Sequence, residues 1–448
     1  MIPADRYNYP AWYYQKSAAA LETALNTAPA YSSWKILDPG PGKSIDLRYN
    51  AMPELTKQMI REHFPVGLIP DNRNIEEGLA NEEIEYTFTS GTTGERVVNI
   101  WDQKWWDAAE AASWKLNSSL ARLSYPQKEA KLASSLNVGI SCEDDLPVEY
   151  RTIGRKLYLN EKISLVQWQQ RHYERMAREL DSFKPVIIEA NPSLLARLAF
   201  WAIDKGVTLY SPEVIVFTYE FISAIHAAAI KKVFGSPLVS SFGTTETGFV
   251  LEECEEGFLH QNIEFCRIDF NPLKNEYGGP GLGRMLVTTF GNPWNTVIRF
   301  DTGDLVRLYP HGSCKCGRDQ GLIAEAVEGR VSNLTFTTKG ALVTTMTLDR
   351  ALSDINTEIG IGIGIGIGQI RDYHLEQNSN NHYELRVMID SKSDSAGIAG
   401  KARNALESLY GKDGVYDVRI MPNILPGPAG KFRRTQANFE FDAGRLFA

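Results

Sequence analysis

The sequence predicts an α/β fold, in which a large N-terminal domain with mixed sheets and helical crossovers precedes a small α+β domain. Strand and helix patterns alternate between residues 84 and 242, which is typical of a sheet whose strands are joined by crossover helices. The chain's 448 residues and 43% hydrophobic content are enough for more than one buried core. We therefore assign residues 1–330 to an N-terminal domain and residues 331–448 to a C-terminal domain.

The N-terminal domain begins with a cap, residues 1–80, which is helical at 17–26 and broken elsewhere by Pro and Gly. The run "IEYTFTS" at 84–90 predicts the first strand. Further patterns predict helices at 105–123 and 165–180, a strand at 185–190, a helix at 193–206, a strand at 213–219, a helix at 221–234 and a strand at 237–242. Residues 248–310 contain β-branched runs at 285–290 and 295–300, which predict a β-rich subdomain.

The C-terminal domain has the patterns of a small α+β unit. These predict a helix at 345–355, strands at 373–377 and 383–390, a helix at 399–410 and a last strand at 416–422. The repeat "GIGIGIGIG" at 360–368 alternates as a strand does, but Gly weakens strands and leaves their register poorly specified. We interpret it as a slack hairpin arm or loop and assign it no chemistry.

Composition argues against polyanionic partners and against a membrane protein. A net charge of −8 and a pI near 5.6 give no general attraction for nucleic acid or anionic lipid. The N-terminus lacks a basic segment, and no run of about 18 apolar residues occurs, so we expect a soluble cytoplasmic protein. Five cysteines are too few for a disulfide scaffold, so closely spaced pairs among them suggest metal or catalytic chemistry.

A loop rich in glycine and hydroxyl groups, "FTSGTTGERVV" at 88–98, follows the first predicted strand, and we expect a helix after it. Its glycines allow a close backbone approach, and its hydroxyls can donate to phosphate oxygens; the residues are Thr89, Ser90, Gly91, Thr92, Thr93 and Gly94. A Walker loop is excluded, because Glu95 stands where that loop has lysine. On composition alone, a polar turn is the better interpretation.

The order of motifs changes that interpretation. The hexapeptide "TSGTTG" resembles the phosphate loop of adenylate-forming enzymes, the acyl-CoA synthetase and luciferase superfamily. Four further stretches follow in that superfamily's order: "SFGTTE" at 241–246, "RFDTGD" at 299–304, "EGRVSN" at 328–333 and "LPGPAGKFRR" at 425–434. The branch resembling phenylacetate-CoA ligase is closest, because it also lacks the lysine after the loop, where this chain has Arg96 and Val97.

The second motif, with Gly243 and Thr244 at its centre, supplies groups suited to a nucleotide. Phe242 could stack on adenine, Thr245 could bond a phosphate oxygen, and Glu246 is an oxygen ligand suited to Mg²⁺. Taken singly, each could instead be a core aromatic or a surface polar residue.

The remaining motifs supply the ribose contacts and a catalytic cation. Asp304 is a short acceptor after a strand, suited to ribose hydroxyls, although "TGD" is also common in turns. Arg330 resembles the family arginine that contacts ribose beside the hinge; a boundary salt bridge is the alternative. Lys431 matches the family lysine that stabilises charge as a carboxylate attacks the α-phosphate, rather than a solvated surface lysine. The family's hinge Asp or Lys is replaced by Ser332, followed by Asn333, so we make no prediction for domain rotation.

A zinc site is the second prediction. Cys254, His260, Cys314 and Cys316 form a Cys₃His set in the β-rich region, the kind that structural zinc prefers. On spacing alone, free buried thiols explain these residues better. The resemblance to the phenylacetate-CoA ligase branch, whose members bind zinc with such residues, implies a structural Zn²⁺. We interpret Cys142 and Cys266 as core residues.

The resemblance implies an AMP-forming ligase that uses ATP and Mg²⁺, activates an aromatic acid of a biosynthetic pathway, and transfers the acyl group to coenzyme A. Tyr219 and Glu220 lie where the family places its acyl pocket and adenine-facing backbone, although core packing is an even alternative. The acceptor could instead be a carrier protein or an amine, or the chain could be a degenerate nucleotide-binding relative. The sequence leaves a homodimer open.

Overall fold

The structure is a computed structural model that describes residues 7–88, 97–123, 126–134, 142–359, 370–427 and 430–448, without the side chains of 357–359. The chain forms two compact units, each built from separate segments. Unit 1 contains residues 1–122, 241–327 and 444–448, and unit 2 contains residues 123–240 and 328–443. No helix among the described residues is both long and apolar enough to cross a membrane.

Unit 1 begins with the helical cap that the sequence predicts. Its helices are α1 (Ala11–Thr27), α2 (Ile45–Ala51), α3 (Lys57–His63), α4 (Ile75–Ala80), α5 (Gln103–Trp114) and α6 (Ser118–Ala121). Short 3₁₀ turns occupy Pro29–Tyr31 and Trp34–Leu37. Side-chain caps begin several of these helices; Thr56 accepts from Met59 N at α3, and Asp102 accepts from Trp105 N at α5.

The sheets of unit 1 carry its motifs. A two-stranded sheet pairs β1 (Glu85–Phe88) with β2 (Val98–Trp101). The main sheet has the order β11-β12-β13-β14-β10-β9-β8, formed by β8 (Leu238–Thr244), β9 (Gly248–Glu253), β10 (Leu259–Gln261), β11 (Cys266–Pro272), β12 (Leu282–Thr289), β13 (Phe300–Leu308) and β14 (Ile323–Arg330). Further 3₁₀ turns lie at Asn275–Tyr277 and Ala443–Leu446. Antiparallel pairing joins β8 to β9, β9 to β10 and β10 to β14.

The first segment of unit 2 is a parallel sheet with crossover helices. Its strands follow the order β8-β7-β6-β3-β5-β4 and include β3 (Glu129–Leu132), β4 (Thr152–Ile153), β5 (Lys156–Asn160), β6 (Ile187–Ala190) and β7 (Val214–Phe217). The helices are α7 (Gln170–Phe183), α8 (Pro192–Lys205) and α9 (Ala224–Val233), with a 3₁₀ turn at Leu165–Gln167. Asn191 caps the start of α8 and Gly206, at φ +64°, ends it in the left-handed region, which glycine adopts at no steric cost.

The second segment of unit 2 is a small α+β structure. Its four-stranded sheet has the order β19-β18-β17-β20, from β17 (Ile370–Ser379), β18 (His382–Ile389), β19 (Val415–Met421) and β20 (Thr435–Ala437). It also contains a 3₁₀ turn at Val331–Asn333, the short strands β15 (Thr335–Phe336) and β16 (Leu342–Val343), and the helices α10 (Thr345–Ile359) and α11 (Ser395–Tyr410). One apolar core joins α8 and α9 to residues of α10, β17, β18 and α11.

The predicted fold class is confirmed, and several details of the sequence prediction are wrong. The strand β2 follows the glycine and hydroxyl loop directly, where a helix was expected. Residues 295–299 form no strand, and β13 begins only at Phe300. Arg299 has φ +51°, which is incompatible with strand geometry. Several strands had no counterpart in the prediction, namely β3, β4, β5, β15, β16 and β20. The division at residue 330 stays a prediction, and the repeat 360–368 lies outside the described residues.

Candidate active site

The second motif forms the hairpin between β8 and β9 in unit 1. The register between the two strands shifts at Gly243, where an added Cβ would lie 2.2 Å from the carbonyl oxygen of Gly248. Only glycine fits at this distance, so the motif's glycine is required by backbone packing. Thr247 N donates to Thr244 O at 3.1 Å, and the hydroxyls of the same two residues lie 2.9 Å apart, closing the turn. Phe242 is half-buried against the apolar core of this sheet.

The turn of this hairpin holds a buried carboxylate. Glu246 is only 3% exposed, although most hairpin turns face solvent. Its Oε1 atom has no hydrogen-bond partner among the described residues, and Lys57 Nζ lies 3.8 Å away. Thr245 precedes it and is half-buried. A buried carboxylate without hydrogen bonds is costly unless a cation compensates it. The turn is therefore suited to hold a divalent cation.

The "DTGD" motif lies inside β13 rather than after a strand, which corrects the sequence prediction. Leu305 pairs with Arg284 and Asp301 pairs with Leu286, so residues 302–304 bulge opposite a single residue of β12. Gly303, at φ +73°, makes this bulge possible, and its N–H donates to Asp301 Oδ1 at 2.9 Å. The bulge sets Asp304 apart from the regular ladder while keeping it buried.

In unit 2, the structure brings Lys431 close to Glu220. The N–H of Phe432, the residue after Lys431, donates to Glu220 Oε2 at 2.8 Å. Arg330 is half-buried, ends β14 and directly precedes the 3₁₀ turn Val331–Asn333. The loop residues Thr89, Ser90, Gly91, Thr92, Thr93 and Gly94 lie outside the described residues.

Tyr219 follows β7 with φ +77°, a backbone conformation that non-glycine residues seldom adopt. It lies where the parallel strands β3, β6 and β7 end, the edge at which open α/β sheets bind ligands. Lys131 Nζ lies 5.8 Å from the centre of its ring and 3.0 Å from Glu189 Oε2. The hydroxyl of Thr218 donates to Glu189 Oε1 at 2.9 Å. This strained turn therefore lies beside a half-buried ion pair.

The charges of this cluster shift the pKa values of its acids in opposite directions. Burial favours the neutral form of Glu189, but Lys131 outweighs it and holds the pKa of Glu189 below its usual value. Burial and the negative charge of Glu189 raise the pKa of Glu129. No sequence motif marks Lys131, Glu189 or Lys57, because each acquires its role from strands or helices distant in the chain.

The predicted zinc ligands lie together in unit 1. Cys254 lies between β9 and β10, His260 is on β10, and the two other cysteines lie between β13 and β14. Sγ of Cys254 and Cys314 are 3.8 Å apart, and Sγ of Cys316 is 3.4 Å from His260 Nε2. All four ligand atoms lie within 4.8 Å of one another.

These distances fit a tetrahedral metal site. Bonds of about 2.3 Å to sulfur and 2.0–2.1 Å to nitrogen would separate the ligand atoms by roughly 3.5–3.8 Å. Burial raises the pKa of Cys254 to about 12, so its thiolate form needs a compensating cation. Burial, with Arg318 nearby, lowers the pKa of His260 to about 4, so its imidazole is neutral and able to bind a metal.

No protein-family model matches the sequence, and comparison with curated proteins finds no similar sequence. Solved structures do match. The crystal structure of 2-hydroxyisobutyryl-CoA ligase, in the postadenylation state with 2-HIB-AMP, has a TM-score of 0.69 at 17% identity, covering 97% of this chain and 93% of that chain. A benzoate CoA ligase from Burkholderia xenovorans LB400 gives a TM-score of 0.51 at 11% identity, covering 82% of this chain and 70% of that chain.

An anthranilate CoA ligase in complex with anthranoyl-AMP gives a TM-score of 0.50 at 14% identity, covering 79% of this chain and 66% of that chain. The chain has the fold of the adenylate-forming CoA ligases. The resemblance inferred from the five motifs is thereby confirmed for the fold. Within this adenylate-forming fold, the closer relationship to phenylacetate-CoA ligases stays a prediction.

Proposed function

We propose that this protein is an AMP-forming ligase that activates a carboxylic acid. The carboxylate attacks the α-phosphorus of ATP, pyrophosphate leaves, and the resulting acyl-adenylate then reacts with a thiol that displaces AMP. The mixed anhydride is already a good acyl donor. The enzyme therefore needs to position its substrates and stabilise charge rather than supply a nucleophile of its own.

The observation that carries this proposal is the buried turn at Glu246. Within an adenylate-forming fold, the motif "SFGTTE" forms a hairpin turn whose carboxylate is buried, with Lys57 Nζ 3.8 Å from its Oε1. Glu246 is the residue that would hold Mg²⁺, whose charge offsets that of phosphate oxygens when it is bound. A structural role alone does not account for a buried carboxylate whose Oε1 has no hydrogen bond to any described residue.

The other motif residues have complementary roles in the proposal. Phe242 stacks on the adenine, and Thr245 bonds a phosphate oxygen beside Gly243 and Thr244. Asp304 accepts from ribose hydroxyls, and Arg330 contacts the ribose; the phosphate-binding loop is Thr89, Ser90, Gly91, Thr92, Thr93 and Gly94. Lys431 stabilises negative charge on the reacting α-phosphate, the task for which an ammonium on a flexible side chain is suited.

We propose an aromatic acid as substrate and coenzyme A as acceptor, with Tyr219 near the acid. The motif resemblance supports both, and two of the similar structures are benzoate and anthranilate CoA ligases. The 2-hydroxyisobutyryl-CoA ligase is a reason to test aliphatic acids beside aromatic ones. One of its crystal structures contains 2-HIB-AMP and CoA in the thioesterification state.

We also propose that Cys254, His260, Cys314 and Cys316 hold a zinc ion. The ligand distances, the burial of the thiols and the neutral imidazole support it. Four protein ligands would leave no open position for substrate, so the role is structural. The ion would then fix the β9–β10 turn to the loop between β13 and β14.

The test is acid-dependent exchange of labelled pyrophosphate into ATP across a panel of aromatic and aliphatic acids. We expect exchange with one acid class and a fall of roughly 10²–10³-fold in Lys431→Ala, as for other groups that stabilise transition-state charge. The matched control is Lys412→Ala, which removes an exposed lysine that also follows a glycine in unit 2. It should exchange as the wild type does.

Two outcomes would contradict parts of the proposal. ATP binding without exchange for any acid would favour a degenerate nucleotide-binding protein. Exchange without thioester formation from coenzyme A would favour a carrier protein or an amine as acceptor, to be tested with phosphopantetheine-bearing carriers and amines.

A further inference from the structure

Main-chain hydrogen bonds in unit 2 join Lys431 and Gly430 to Gly427. Gly427 N donates to Lys431 O at 3.0 Å, and Gly430 N donates to Gly427 O at 2.9 Å. Gly430 has φ +72°, which lets the chain reverse without strain. The carbonyl of Lys431 is therefore already held by the turn that precedes it.

The residues that follow alternate between buried and half-buried positions. Phe432 is 7% exposed and belongs to the apolar core of unit 2, and Arg434 is 3% exposed. Lys431 and Arg433 are half-buried. Arg434 Nη2 donates to Ser193 Oγ at 2.7 Å, and Nη1 donates to Asp372. The segment is thus anchored at every second residue after the turn.

Glu220 completes this anchoring next to Lys431 itself. Its Oε2 accepts the N–H of Phe432 at 2.8 Å, and that N–H belongs to the peptide bond between Lys431 and Phe432. Since the carbonyl of the same peptide bond accepts from Gly427, both polar groups of this one peptide unit are fixed. The orientation of a peptide unit determines where the adjoining Cα, and hence its side chain, can lie.

We propose that Glu220 is a positioning residue for Lys431, acting through the main chain, and not a residue that contacts the acid. This inference rests on the proposed function, in which Lys431 acts on the α-phosphate. One carboxylate oxygen of Glu220 is already used by the Phe432 N–H. Burial raises the pKa of Glu220, and nearby Arg434 opposes that rise.

The test compares Glu220→Ala and Glu220→Gln in the full chain, with Glu213→Ala as an exposed control from the same unit. Trypsin cleaves after lysine, so the bond that Glu220 holds is the one that trypsin cuts after Lys431. We expect Glu220→Ala to raise the rate of that cleavage by roughly tenfold or more, with cleavage after the exposed Lys412 unchanged. Glu220→Gln keeps an acceptor oxygen and should restore slow cleavage.

The second readout is pyrophosphate exchange. In Glu220→Ala we expect kcat to fall roughly 10–100-fold, because the side chain of Lys431 is displaced from the α-phosphate. The KM values for ATP and acid should stay within about twofold, because the groups that bind the substrates are unchanged. Glu220→Gln should recover most of kcat. A higher KM for the acid with unchanged kcat would overturn the proposal and return Glu220 to the acid pocket. Unchanged cleavage in Glu220→Ala would overturn it as well.

The cleavage measurement does not require activity. If the wild type exchanges with no acid, the proposed function fails, and cleavage after Lys431 alone decides whether Glu220 holds this peptide unit. If exchange occurs and is lost in Lys431→Ala but not in Glu220→Ala, the proposed function stands and the positioning role fails.

Discussion

Two buried charged regions of the molecule differ in the number of hydrogen bonds that the protein gives to their charged groups. In unit 1, Glu246 Oε1 lies 3.8 Å from Lys57 Nζ and has no hydrogen bond to the described residues. In unit 2, the guanidinium of Arg434 donates to Asp372 and Ser193, and Asp372 Oδ2 also accepts from Arg197 at 3.1 Å. Both regions are buried, but the described residues give Glu246 Oε1 only a long ion pair, whereas they give Arg434 and Asp372 several hydrogen bonds.

The second region also controls the state of a histidine. Burial and the positive charge of Arg434 lower the pKa of His226, so the ring is neutral. Its Nε2 must donate to the carbonyl of Arg371, at 3.1 Å, which leaves Nδ1 to accept from Arg434 at 3.3 Å. Such a closed set of donors and acceptors stabilises one arrangement. Glu246, whose Oε1 has no hydrogen bond to a described residue, is suited to a cation supplied from outside.

The largest effect on stability is expected when the cation of the second region, Arg434, is removed. Arg434→Met should lower the free energy of unfolding by about 3–5 kcal/mol, because Asp372 is left with one fewer partner in the interior. Urea unfolding measures this. Arg403→Met, on the exposed side of α11, should change stability by less than about 0.5 kcal/mol. Equal effects of the two variants would contradict the distinction.

The matching change in unit 1 should affect activity instead of stability. Glu246→Gln should lower Mg²⁺-dependent pyrophosphate exchange by roughly 10²–10³-fold. Its free energy of unfolding should stay within about 1 kcal/mol of the wild type, because Oε1 has no hydrogen bond to a described residue and its ion pair with Lys57 is long. Glu276→Gln, at an exposed position of unit 1, is the control. A less stable variant that retains exchange would show that Glu246 is a structural residue.

The four predicted zinc ligands form a third region, which we propose is stabilised by a bound metal ion. Cys314→Ser should reduce the zinc content of the purified protein from about one per chain to near zero, and stability by about 1–3 kcal/mol. Cys142→Ser, which leaves the cluster intact, should keep the metal. Wild-type protein without zinc, with Cys314→Ser equally stable, would exclude the site.

The smallest expected effect concerns the Lys131–Glu189 pair. Burial favours the neutral form of Glu189, whereas the charge of Lys131 favours the ionised form. The pKa of Glu189 is lowered in the folded state, so its contribution is present above about pH 4.5 and is lost as the pH falls below that value. Glu189→Gln should therefore cost roughly 1–2 kcal/mol near pH 7 and progressively less below pH 4.5.

Glu129→Gln should show the opposite trend in the same acid-unfolding series. The pKa of Glu129 is raised by burial and by Glu189, so its ionisation lowers stability as the pH rises above 4.5. The variant should gain stability relative to the wild type over that range. Parallel pH profiles for the two variants would contradict the assignment.

The sequence was sufficient for the fold class, for the longer helices and for strands with a strong apolar pattern such as β6, β7, β17 and β18, because their apolar spacing is strongly periodic. It also identified the four cysteine and histidine residues that the structure brings together. It missed many of the short strands, among them β3, β15 and β20. It could not identify Lys57 beside Glu246, or the bulge that places Asp304 inside a strand. These depend on partners far along the chain and on backbone register, which local patterns do not encode.

The role inferred for Glu220 illustrates the same limit. Its position in the motif order suggested an acid pocket, whereas its hydrogen bond joins it to a main-chain N–H 212 residues further on. Ordered motifs report which chemistry a fold can hold. They do not identify the side chains that position a catalytic residue through the main chain.

The two-segment construction of unit 2 affects how the chain is made. Its apolar core needs α8 and α9 together with Leu406 and Phe432, and residues 241–327 of the other unit are synthesised in between. At a synthesis rate of about 5–20 residues per second, roughly 10–40 s pass between the synthesis of α8 and α9 and the synthesis of Leu406 and Phe432. During that interval the nascent chain exposes an apolar surface, so its yield in cells should depend on chaperones more than its final stability suggests.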